Sequence, residues 1–498
     1  DTLTLGGNSR FSGSVLNAGG LAVTVNGGVL DIRQPATLGS LNLGKDGVLL
    51  VTLNPASGDG TALTVTGNAV IEKDATLGII LADVHDAEGR YVVLSAGTLT
   101  GASGLKVNDD LVPFMFKATV ASNTGPNQLA IDIARRTTTE LDLNLAQSAA
   151  YDAVVEALAN DEDLEDLFLA ITDGDYFRYA VGQMLPDHAG GAFLGVSQGI
   201  RAFSRQLNDP IGPVYQAGDF NLTLNAAGWG ADKDEGESAT IDLNGLGLSA
   251  TGAIETGLGS FGVSATWLWN EYSTGSNKYN NVLSNTYELA AHWHGKWGGF
   301  SAFGRGSIGK ADFEGKRIFN TKIGDTPIEK KILRDWGGTV TSFTAGASME
   351  GGWRYFFFRP QASVDYIKLS EDGYTEDGGD EGLPLTVESR SSDELAVNGG
   401  VVLGIDFVGM GRYEKNWFRV EGEGGWREVV AGNLGSTTAS FEDGESFTLD
   451  PEQSTGGWYA SLKAMGGNSA FTLVGELGLE DRLGGSAYTV RGSLRFGF

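Results

Sequence analysis

Cysteine is absent from the sequence, and proline is scarce, with 11 residues in a chain of 498. The absence of cysteine excludes disulfide bonds, thiolate catalysis and cysteine-ligated metals. No run of about 18 uncharged apolar residues occurs, which excludes ordinary membrane-spanning helices but leaves open a membrane barrel, whose strands alternate apolar and polar residues. Basic residues are few as well, and the net charge of -28 argues against nucleic acid as a partner.

Glycine, by contrast, is abundant, with 75 residues. Together with so little proline, it predicts many tight turns and a β structure. The sequence begins at Asp1 without a basic and then apolar leader. We therefore expect it to be the C-terminal part of a longer precursor.

A short unit recurs over residues 1–136 with a period of about 20 residues. Each unit holds two short apolar strands around a Gly or Asn turn, which is typical of the rungs of a parallel β-helix. Such rungs bury their apolar residues on their neighbours, so the stack needs a cap. The stretch from Gly89 to Arg136 breaks the period and is richer in large apolar residues, and we expect it to be that cap. The repeats begin at Leu3, Val23, Leu41 and Leu63.

Residues 137–210 lack the β repeats of residues 1–136, and their sequence predicts a helical linker. The segment Thr137–Phe177 carries 11 acidic residues and no Lys or Arg, and its apolar residues at helical spacing predict one or two amphipathic helices. A further helix is predicted over His188–Leu207, where glycines recur every four residues. Each glycine inside a helix costs about 1 kcal/mol relative to alanine, so this helix is expected to pass something closely, such as the wall of a narrow pore. Its marked residues are Gly191, Gly195, Gly199, Arg201 and Arg205.

From residue 211 to residue 498 the sequence reads as about twelve strands, with apolar side chains in one register and polar ones in the other. Short and long acidic connections alternate between them, with a very long one predicted at residues 311–336. This alternation is the pattern of an outer-membrane barrel with a wet interior. The predicted lumen residues are Glu288, Arg359, Arg419, Glu421, Glu423 and Arg491. Aromatic girdles at the two membrane interfaces are expected from Trp229, Trp267, Trp293, Trp297, Trp417 and Trp458.

The chain ends on "RGSLRFGF", an alternating apolar ladder where most termini are polar and frayed. It predicts a last strand that pairs with the first one, near Phe220–Gly230, and so closes the barrel. Leu494, Phe496 and Phe498 are expected to face lipid, while Arg491 faces the lumen.

These parts in this order resemble the C-terminal part of a type Va autotransporter. The stretch Tyr179–Phe203 resembles the segment before the barrel in pertactin-like proteobacterial members. The resemblance implies an all-β fold, with a 12-stranded antiparallel transmembrane β-barrel, a luminal helix and a preceding right-handed parallel β-helix, the remnant of an exported passenger. It implies a bacterial outer-membrane translocator that displays this passenger at the cell surface. Leu494, Phe496 and Phe498 resemble the signal read by the barrel-assembly machinery.

The expected partners are that machinery, outer-membrane lipid and lipopolysaccharide, and the passenger itself. No catalytic residue, cofactor or metal is expected. An adhesin-like passenger is favoured, and the alternatives are an enzyme domain further upstream or a simple outer-membrane channel. Some autotransporters cleave their pore helix between paired Asn residues, but no such pair occurs in residues 137–209, so we expect no cleavage of that kind.

Two helices compete for the lumen. In one arrangement His188–Leu207 lies inside, and its Arg201 and Arg205 meet lumen carboxylates such as Glu421 and Glu423. In the other, the acidic helices of residues 140–175 lie inside and face Arg359, Arg419 and Arg491.

Two further motifs resemble a catalytic site and a cation site, but the sequence gives little support to either. "GVSQG" matches the pattern of a hydrolase nucleophile at Ser197, but it lies in a helical stretch rather than between a strand and a helix. The acidic run Glu371–Gly382 is expected to be a solvated surface loop rather than a cation site.

Overall fold

The computed structural model describes all residues except 16–17, 54–61, 85–86, 123, 159, 209–216, 235, 237, 276–277, 324–325, 380–381, 409–415, 443, 454–455, 469 and 483–484. The predicted boundary between linker and barrel, at residues 210 and 211, therefore lies outside the described residues. The chain is mostly β, and its helices lie between an N-terminal stack of parallel strands and a C-terminal barrel.

The N-terminal stack consists of two sheets in which successive repeats pair in parallel. In one sheet Leu3 pairs with Val23 and Val23 pairs with Leu41, so equivalent positions of consecutive repeats lie on each other. The first sheet runs β1, β3, β6, β8 and β10, and the second runs β2, β4, β7, β9 and β11. The strands are β1 Thr2–Gly6, β2 Arg10–Gly13, β3 Ala22–Asn26, β4 Val29–Ile32, β5 Ala36–Leu38, β6 Ser40–Leu43, β7 Val48–Leu53, β8 Leu63–Ile71, β9 Thr76–Leu81, β10 Gly89–Thr100 and β11 Lys106–Val107.

The pairing changes where the sequence period breaks. Strands β12 (Phe116–Val120) and β13 (Gln128–Arg135) pair with each other antiparallel, and β13 pairs antiparallel with β10. Met115, directly before β12, and Phe116, its first residue, are both buried. This end of the stack is thus closed by antiparallel strands and large side chains, in the stretch where a cap is predicted.

In the described part of the chain four α-helices follow: α1 Leu145–Leu158, α2 Glu162–Ala170, α3 Gly174–Met184 and α4 Gly191–Ser204, with a 3₁₀ turn over Arg205–Asn208. The side chains of Asp161 and Asp173 cap α2 and α3 by accepting hydrogen bonds from backbone N–H groups. Among the described residues, no helix is both long enough and apolar enough to cross a membrane.

Twelve antiparallel strands form the barrel, as predicted, and the sheet closes where β31 pairs with β14 from Asn221↔Gly497 to Ala231↔Ala487. The strands are β14 Phe220–Lys233, β15 Ile241–Thr256, β16 Gly259–Thr274, β17 Asn280–Trp297, β18 Phe300–Ile323, β19 Thr326–Met349, β21 Phe356–Glu371, β25 Arg390–Asp406, β26 Trp417–Asn433, β29 Gly457–Gly467, β30 Phe471–Arg482 and β31 Gly485–Gly497. Short strands β20 Gly351–Trp353 and β23 Asp377–Gly378 pair at the margins of this sheet.

One predicted loop is wrong. Residues 311–336 were expected to form a very long connection, but β18 and β19 continue through them as one hairpin whose ladder reaches Ile323↔Thr326. The alternation of buried and exposed residues continues along this arm, which explains why it remains a strand pair beyond the barrel wall. Beside it, the long connections contribute a four-stranded sheet: β22 Tyr374–Thr375, β24 Leu385–Val387, β27 Thr437–Phe441 and β28 Phe447–Leu449.

Two large apolar cores result. The first is continuous from Leu5 in the stack, through α1 to α3, to Phe319 and Ile332 on the β18–β19 arm. The second lies inside the barrel around α4, and includes Trp229 and Tyr272. Tyr374 packs against both.

Candidate functional site

Helix α4 lies inside the barrel, against the wall formed by β14, β15 and β16. All of its residues except Arg201 are buried. Its glycines permit this close approach, because a Cβ atom on Gly199 would lie 2.8 Å from the Trp229 ring, and one on Gly195 would lie 3.1 Å from Asn270. At Gly191 the Tyr272 ring would be 2.5 Å away. The spacing of four residues therefore gives α4 one smooth face toward the wall.

The other side of α4 is held by ion pairs across the lumen. Arg201 contacts Glu480 at 2.6 Å, and Arg205 contacts Glu423 at 2.8 Å and Glu476 at 2.6 Å. Glu423 lies on β26, and Glu476 and Glu480 lie on β30, which is two strands from β14 in the barrel sheet. The helix is thus fixed by apolar contact on one side and by charge on the other.

The remaining predicted lumen residues also point inward, but they pair within the wall. Arg359 and Arg419 both contact Glu421, at 2.8 and 3.1 Å, and Arg491 contacts Glu476 at 2.6 Å. On the opposite wall, Glu288 binds Arg305 at 2.6 Å. Glu421 therefore forms its ion pairs with arginines of the barrel wall and not with the arginines of the helix.

Two predicted contacts are corrected by this arrangement. Arg201 meets Glu480, not Glu421, because Glu421 is already bound by two arginines of the wall. The acidic helices do not face Arg359, Arg419 and Arg491, since α1 packs on β27 and β28 and α3 packs on the outer part of β18.

A turn over residues 185–190 leads into α4 and is bound to the barrel by buried polar groups. The Tyr272 hydroxyl donates to the Asp187 carboxylate at 2.7 Å, and Arg390 donates to the Asp187 carbonyl at 2.9 Å. Burial raises the pKa of Asp187, but the Arg390 and Arg334 guanidinium groups and the hydrogen bond from Tyr272 together outweigh burial and hold this pKa below its ordinary value. Arg390 also binds Glu371 at 2.8 Å. The carboxylate therefore stays charged and anchors the turn.

Little open space remains beside the helix. A cavity of about 90 Å³ lies between α4 and the barrel wall, lined by Arg201, Arg205, Asn398, Tyr459 and Glu480 among others. A volume of this size holds only a few water molecules. Helix α4 thus plugs the lumen, and the lining of this cavity is mixed, with charged, polar and apolar side chains.

The last strand, β31, is hydrogen-bonded to the first strand, β14, at the end of the barrel where the connections between strands are short. Phe498 donates its N–H to the Phe220 carbonyl at 2.8 Å and accepts from the Phe220 N–H at 3.2 Å. The two rings lie 6.3 Å apart. Phe498 is exposed on the outer face with Leu494 and Phe496 in the same register, while Arg491 points inward.

The family model for the autotransporter beta-domain matches residues 225–475, which is half of the chain. The chain belongs to the autotransporter family. This membership makes the barrel a bacterial outer-membrane protein with a translocating and anchoring function, as predicted. No curated protein matches the chain.

Solved autotransporter barrels are among the similar structures. The translocator domain of NalP from Neisseria meningitidis is 13% identical over 62% of this chain and 96% of its own, with a TM-score of 0.46. The transport unit of AIDA-I from Escherichia coli is 12% identical over 63% of this chain and 100% of its own, with a TM-score of 0.38. The beta domain of BrkA from Bordetella is 12% identical over 55% and 98%, with a TM-score of 0.38.

Two of the predicted girdle residues of this autotransporter do not face lipid. Trp229 and Trp417 are buried in the inward register. The Trp229 indole fills the space that Gly199 leaves, and its N–H donates to Asn270 at 2.9 Å. Trp417 lies two residues before the inward Arg419, and so on the same face of β26, and it packs with Met465. The other four are exposed or half-buried on the outer face: Trp267, Trp293, Trp297 and Trp458.

Sequence reasoning missed several buried groups of the autotransporter. Glu371 and Glu376 were expected in a solvated loop, but both are buried in ion pairs, Glu371 with Arg390 and Glu376 with Arg317 and Arg334. A sequence pattern could have indicated that the strand continues and that its inward residues are buried. Arg317 and Phe319 continue the inward register of β18, while Lys316 and Asn320 occupy the exposed one.

Replacing Gly199 by valine is expected to destabilise the plugged barrel by about 1–3 kcal/mol, because the added side chain collides with Trp229. The midpoint of heat-induced unfolding, followed by the gel shift between folded and unfolded barrel, measures the effect. Gly422→Val is the matched control, since a Cβ there meets nothing within 4 Å. Equal midpoints for the two variants would contradict the close fit of α4.

Proposed function

We propose that this autotransporter barrel exports the N-terminal stack, residues 1–136, and holds it at the cell surface through an uncleaved chain. The observation that carries the proposal is the course of the chain. Helix α4 occupies the lumen, and the preceding helices and the stack lie beyond the end of the barrel that bears the long connections. Long connections face the cell exterior in outer-membrane barrels. A chain that enters from the other end and leaves through the lumen would have this course.

The stack is proposed to be an adhesin-like scaffold, because parallel repeats present long regular surfaces. We propose no catalytic role for the chain itself. The Ser197 hydroxyl of the nucleophile-like motif is buried and donates to the Leu194 carbonyl at 3.1 Å within α4. In the part of the chain that the structure describes, no His, Asp and Glu side chains cluster in threes as a metal site requires.

Export is tested with an epitope tag placed before Asp1 in cells that make the full chain. We expect antibody to bind the tag on intact cells, and external protease to remove it while the barrel stays folded in the outer membrane. A tag that becomes accessible only after the outer membrane is broken, in cells with a folded barrel, would overturn the proposal.

The partners remain proposals: outer-membrane lipid and lipopolysaccharide around the barrel, and the barrel-assembly machinery during insertion. Deleting Phe498 is expected to lower the amount of folded barrel in the outer membrane about tenfold, because the end of β14 loses its hydrogen-bonded partner within the membrane. The folded fraction in isolated outer membranes gives the result. Phe471→Ala removes a similar exposed ring from the neighbouring strand and serves as control. Equal insertion of the deletion variant and the full chain would refute an assembly role.

A further inference from the structure

A second cavity, larger than the one beside α4, lies at the end of the barrel that bears the long connections. Its volume is about 340 Å³, and it is called the rim cavity here. Helices α1 and α3 and the turn over residues 185–190 contribute Gln147, Gly182 and His188 to its lining. The barrel contributes Ala239, before β15, and Tyr279, before β17. The rim cavity therefore lies where the helices meet the barrel.

The charged residues that line the rim cavity do not indicate a charged ligand. Asp142 and Asp175 are exposed, so solvent hydrates both carboxylates. Arg178 forms an ion pair with Asp175 and donates to the Leu141 carbonyl at 3.0 Å. An anion would therefore have to compete with Asp175 for Arg178, and a cation would meet carboxylates that are already paired or hydrated.

His188 adds an acceptor without a partner to the buried part of the lining. The side chain is almost fully buried, and its Nδ1 donates to the Pro186 carbonyl at 2.9 Å. Burial is the main cause that holds the pKa of His188 below its ordinary value, so the ring is neutral and Nε2 carries a lone pair. Within the described ranges no group hydrogen-bonds to Nε2. Buried acceptors are normally satisfied, so a donor from a bound molecule is expected at this ring.

A neutral amide and two aromatic rings complete the lining. The Gln147 side chain donates to the Arg178 carbonyl at 2.9 Å, and its amide nitrogen has a second hydrogen to donate. The half-buried rings of Tyr179 and Tyr279 lie 6.4 Å apart at an angle of 76°. They offer two flat apolar surfaces, each with a hydroxyl group at its edge. The rim cavity thus combines aromatic faces with uncharged hydrogen-bonding groups.

Gly182 keeps space between these groups. A Cβ atom at this position would lie 3.2 Å from the Tyr279 hydroxyl and 3.5 Å from the Gln147 amide nitrogen. Alanine is favoured over glycine within helices, so helix stability alone does not account for a glycine inside α3. The absence of a side chain at Gly182 leaves the amide and the hydroxyl accessible from one space.

We propose that the rim cavity binds a neutral sugar, either free or at the end of a glycan. A pyranose has a flat face of C–H groups, which would pack on Tyr179 or Tyr279, and hydroxyl groups that both donate and accept. These hydroxyls would donate to Nε2 of His188 and accept from the Gln147 amide. The volume lies near the lower limit of small-molecule sites, which span about 300–1,000 Å³, and so suits a ligand of the size of a sugar unit.

The proposal goes beyond export, because the purified chain carries the rim cavity whether or not the stack is displayed. A sugar in this position would contact α1, α3 and the barrel connections at once. A ligand that binds only the assembled form stabilises it by mass action. The bound sugar would therefore hold the helices on the end of the barrel.

Binding is measured by saturation-transfer-difference NMR on the purified full chain, in a detergent whose headgroup is not a sugar. The probes are D-glucose, D-galactose and N-acetyl-D-glucosamine. Gly182→Leu fills the rim cavity, and Gly257→Leu is the matched control, because a Cβ at Gly257 meets nothing within 4 Å. The gel shift reports the folded barrel, and protease resistance of residues 1–184 reports that the helices are in place.

We expect one or more of these sugars to bind the unaltered chain and Gly257→Leu equally, and to bind Gly182→Leu at least about tenfold more weakly. If Gly182→Leu loses protease resistance, Gly182→Ala takes its place with the same expected direction. Equal affinity of the cavity variant and the control would put the sugar elsewhere and overturn the proposal. Failure of all three sugars to bind the unaltered chain would overturn it too, as would binding of tetramethylammonium but of no sugar.

Tyr179 separates a ring contact from a structural role. Tyr179→Phe keeps the flat ring and is expected to bind sugar within about twofold of the unaltered chain, whereas Tyr179→Ala loses about fivefold or more. Both variants are compared with their helices protease-resistant. If neither variant changes the affinity, or if both weaken it equally, the sugar does not pack on this ring and the proposed site is wrong.

A last comparison separates free sugars from glycan ends. The sugar that binds is titrated as the monosaccharide and as the terminal residue of a disaccharide. Similar affinities assign the rim cavity to glycan ends, and binding of the monosaccharide alone assigns it to free sugars; both results support a neutral-sugar site. None of these titrations depends on the tag before Asp1, so failure of the proposed export and failure of the sugar site are read from different experiments.

Discussion

Deleting residues 1–208 is expected to turn the plugged barrel into an open channel, with single-channel conductance at least about tenfold above that of the full chain. The physical reason is volume. Helix α4 is roughly 10–12 Å across with its side chains, and the cavity between it and Tyr459 and Glu480 is only about 90 Å³. Planar-bilayer recordings of the purified proteins measure the change.

Deletion of residues 1–136 provides the matched control, because it removes the stack but keeps α1 to α4. Its conductance is expected to remain at the low level of the full chain. A similar conductance for all three proteins would contradict the plug, and an open channel after removal of the stack alone would assign the closure to the stack instead.

Reversing the charge of Arg205 is expected to release the C-terminal end of α4 from β26 and β30. Arg205→Glu places a third carboxylate beside Glu423 and Glu476, both of which are almost fully buried and now bind Arg205. Breaking a buried ion pair by removing one partner costs about 3–5 kcal/mol. We expect a lower unfolding midpoint of the folded barrel, together with frequent opening events in bilayer recordings.

The exchange variant Arg205→Glu with Glu423→Arg is the control for this reversal. It restores one pair with opposite polarity, and Glu476 keeps its contact with Arg491. Partial recovery of the midpoint and of the closed state is expected. If the single variant matches the full chain in both measurements, the ion pairs do not hold the helix.

Much of the barrel was predictable because a strand in a membrane wall obeys one simple rule of alternation. Phe220, Leu222 and Leu224 set the outward register of β14, and the pairing of "RGSLRFGF" with this strand follows from the need to leave no open edge. The glycines at Gly191, Gly195 and Gly199 predicted a close passage for α4, and they lie against the wall.

The same rule of alternation, applied to the tryptophans, shows which of them cannot belong to the aromatic girdle. Counting by twos from Leu224 places Trp229 in the inward register with Asn225, and counting from Phe418 places Trp417 inward with Arg419. A tryptophan near a strand end lies at the depth of the lipid interface, but register decides whether it faces lipid or the lumen.

The partners of the helix arginines were beyond prediction for a different reason. Arg201 and Glu480 are separated by 279 residues. Which wall carboxylate lies opposite a given turn of α4 depends on strand tilt and on the stagger accumulated around the whole barrel. No local sequence pattern gives the total stagger, so it could not identify which carboxylate each arginine meets.

The continuous core between the stack and the β18–β19 arm also determines how the molecule bears mechanical load. Tension applied to the far end of the stack passes through α1 to α3 into the β18–β19 arm, whose ladder joins the barrel wall directly. Interstrand hydrogen bonds lie across the strands, so a pull along the arm loads many of them in shear at once. The plug belongs to the other core, and its turn is tethered separately at Asp187. Such tension would strain the barrel wall, while the contacts that hold the plug in the lumen are not in its path.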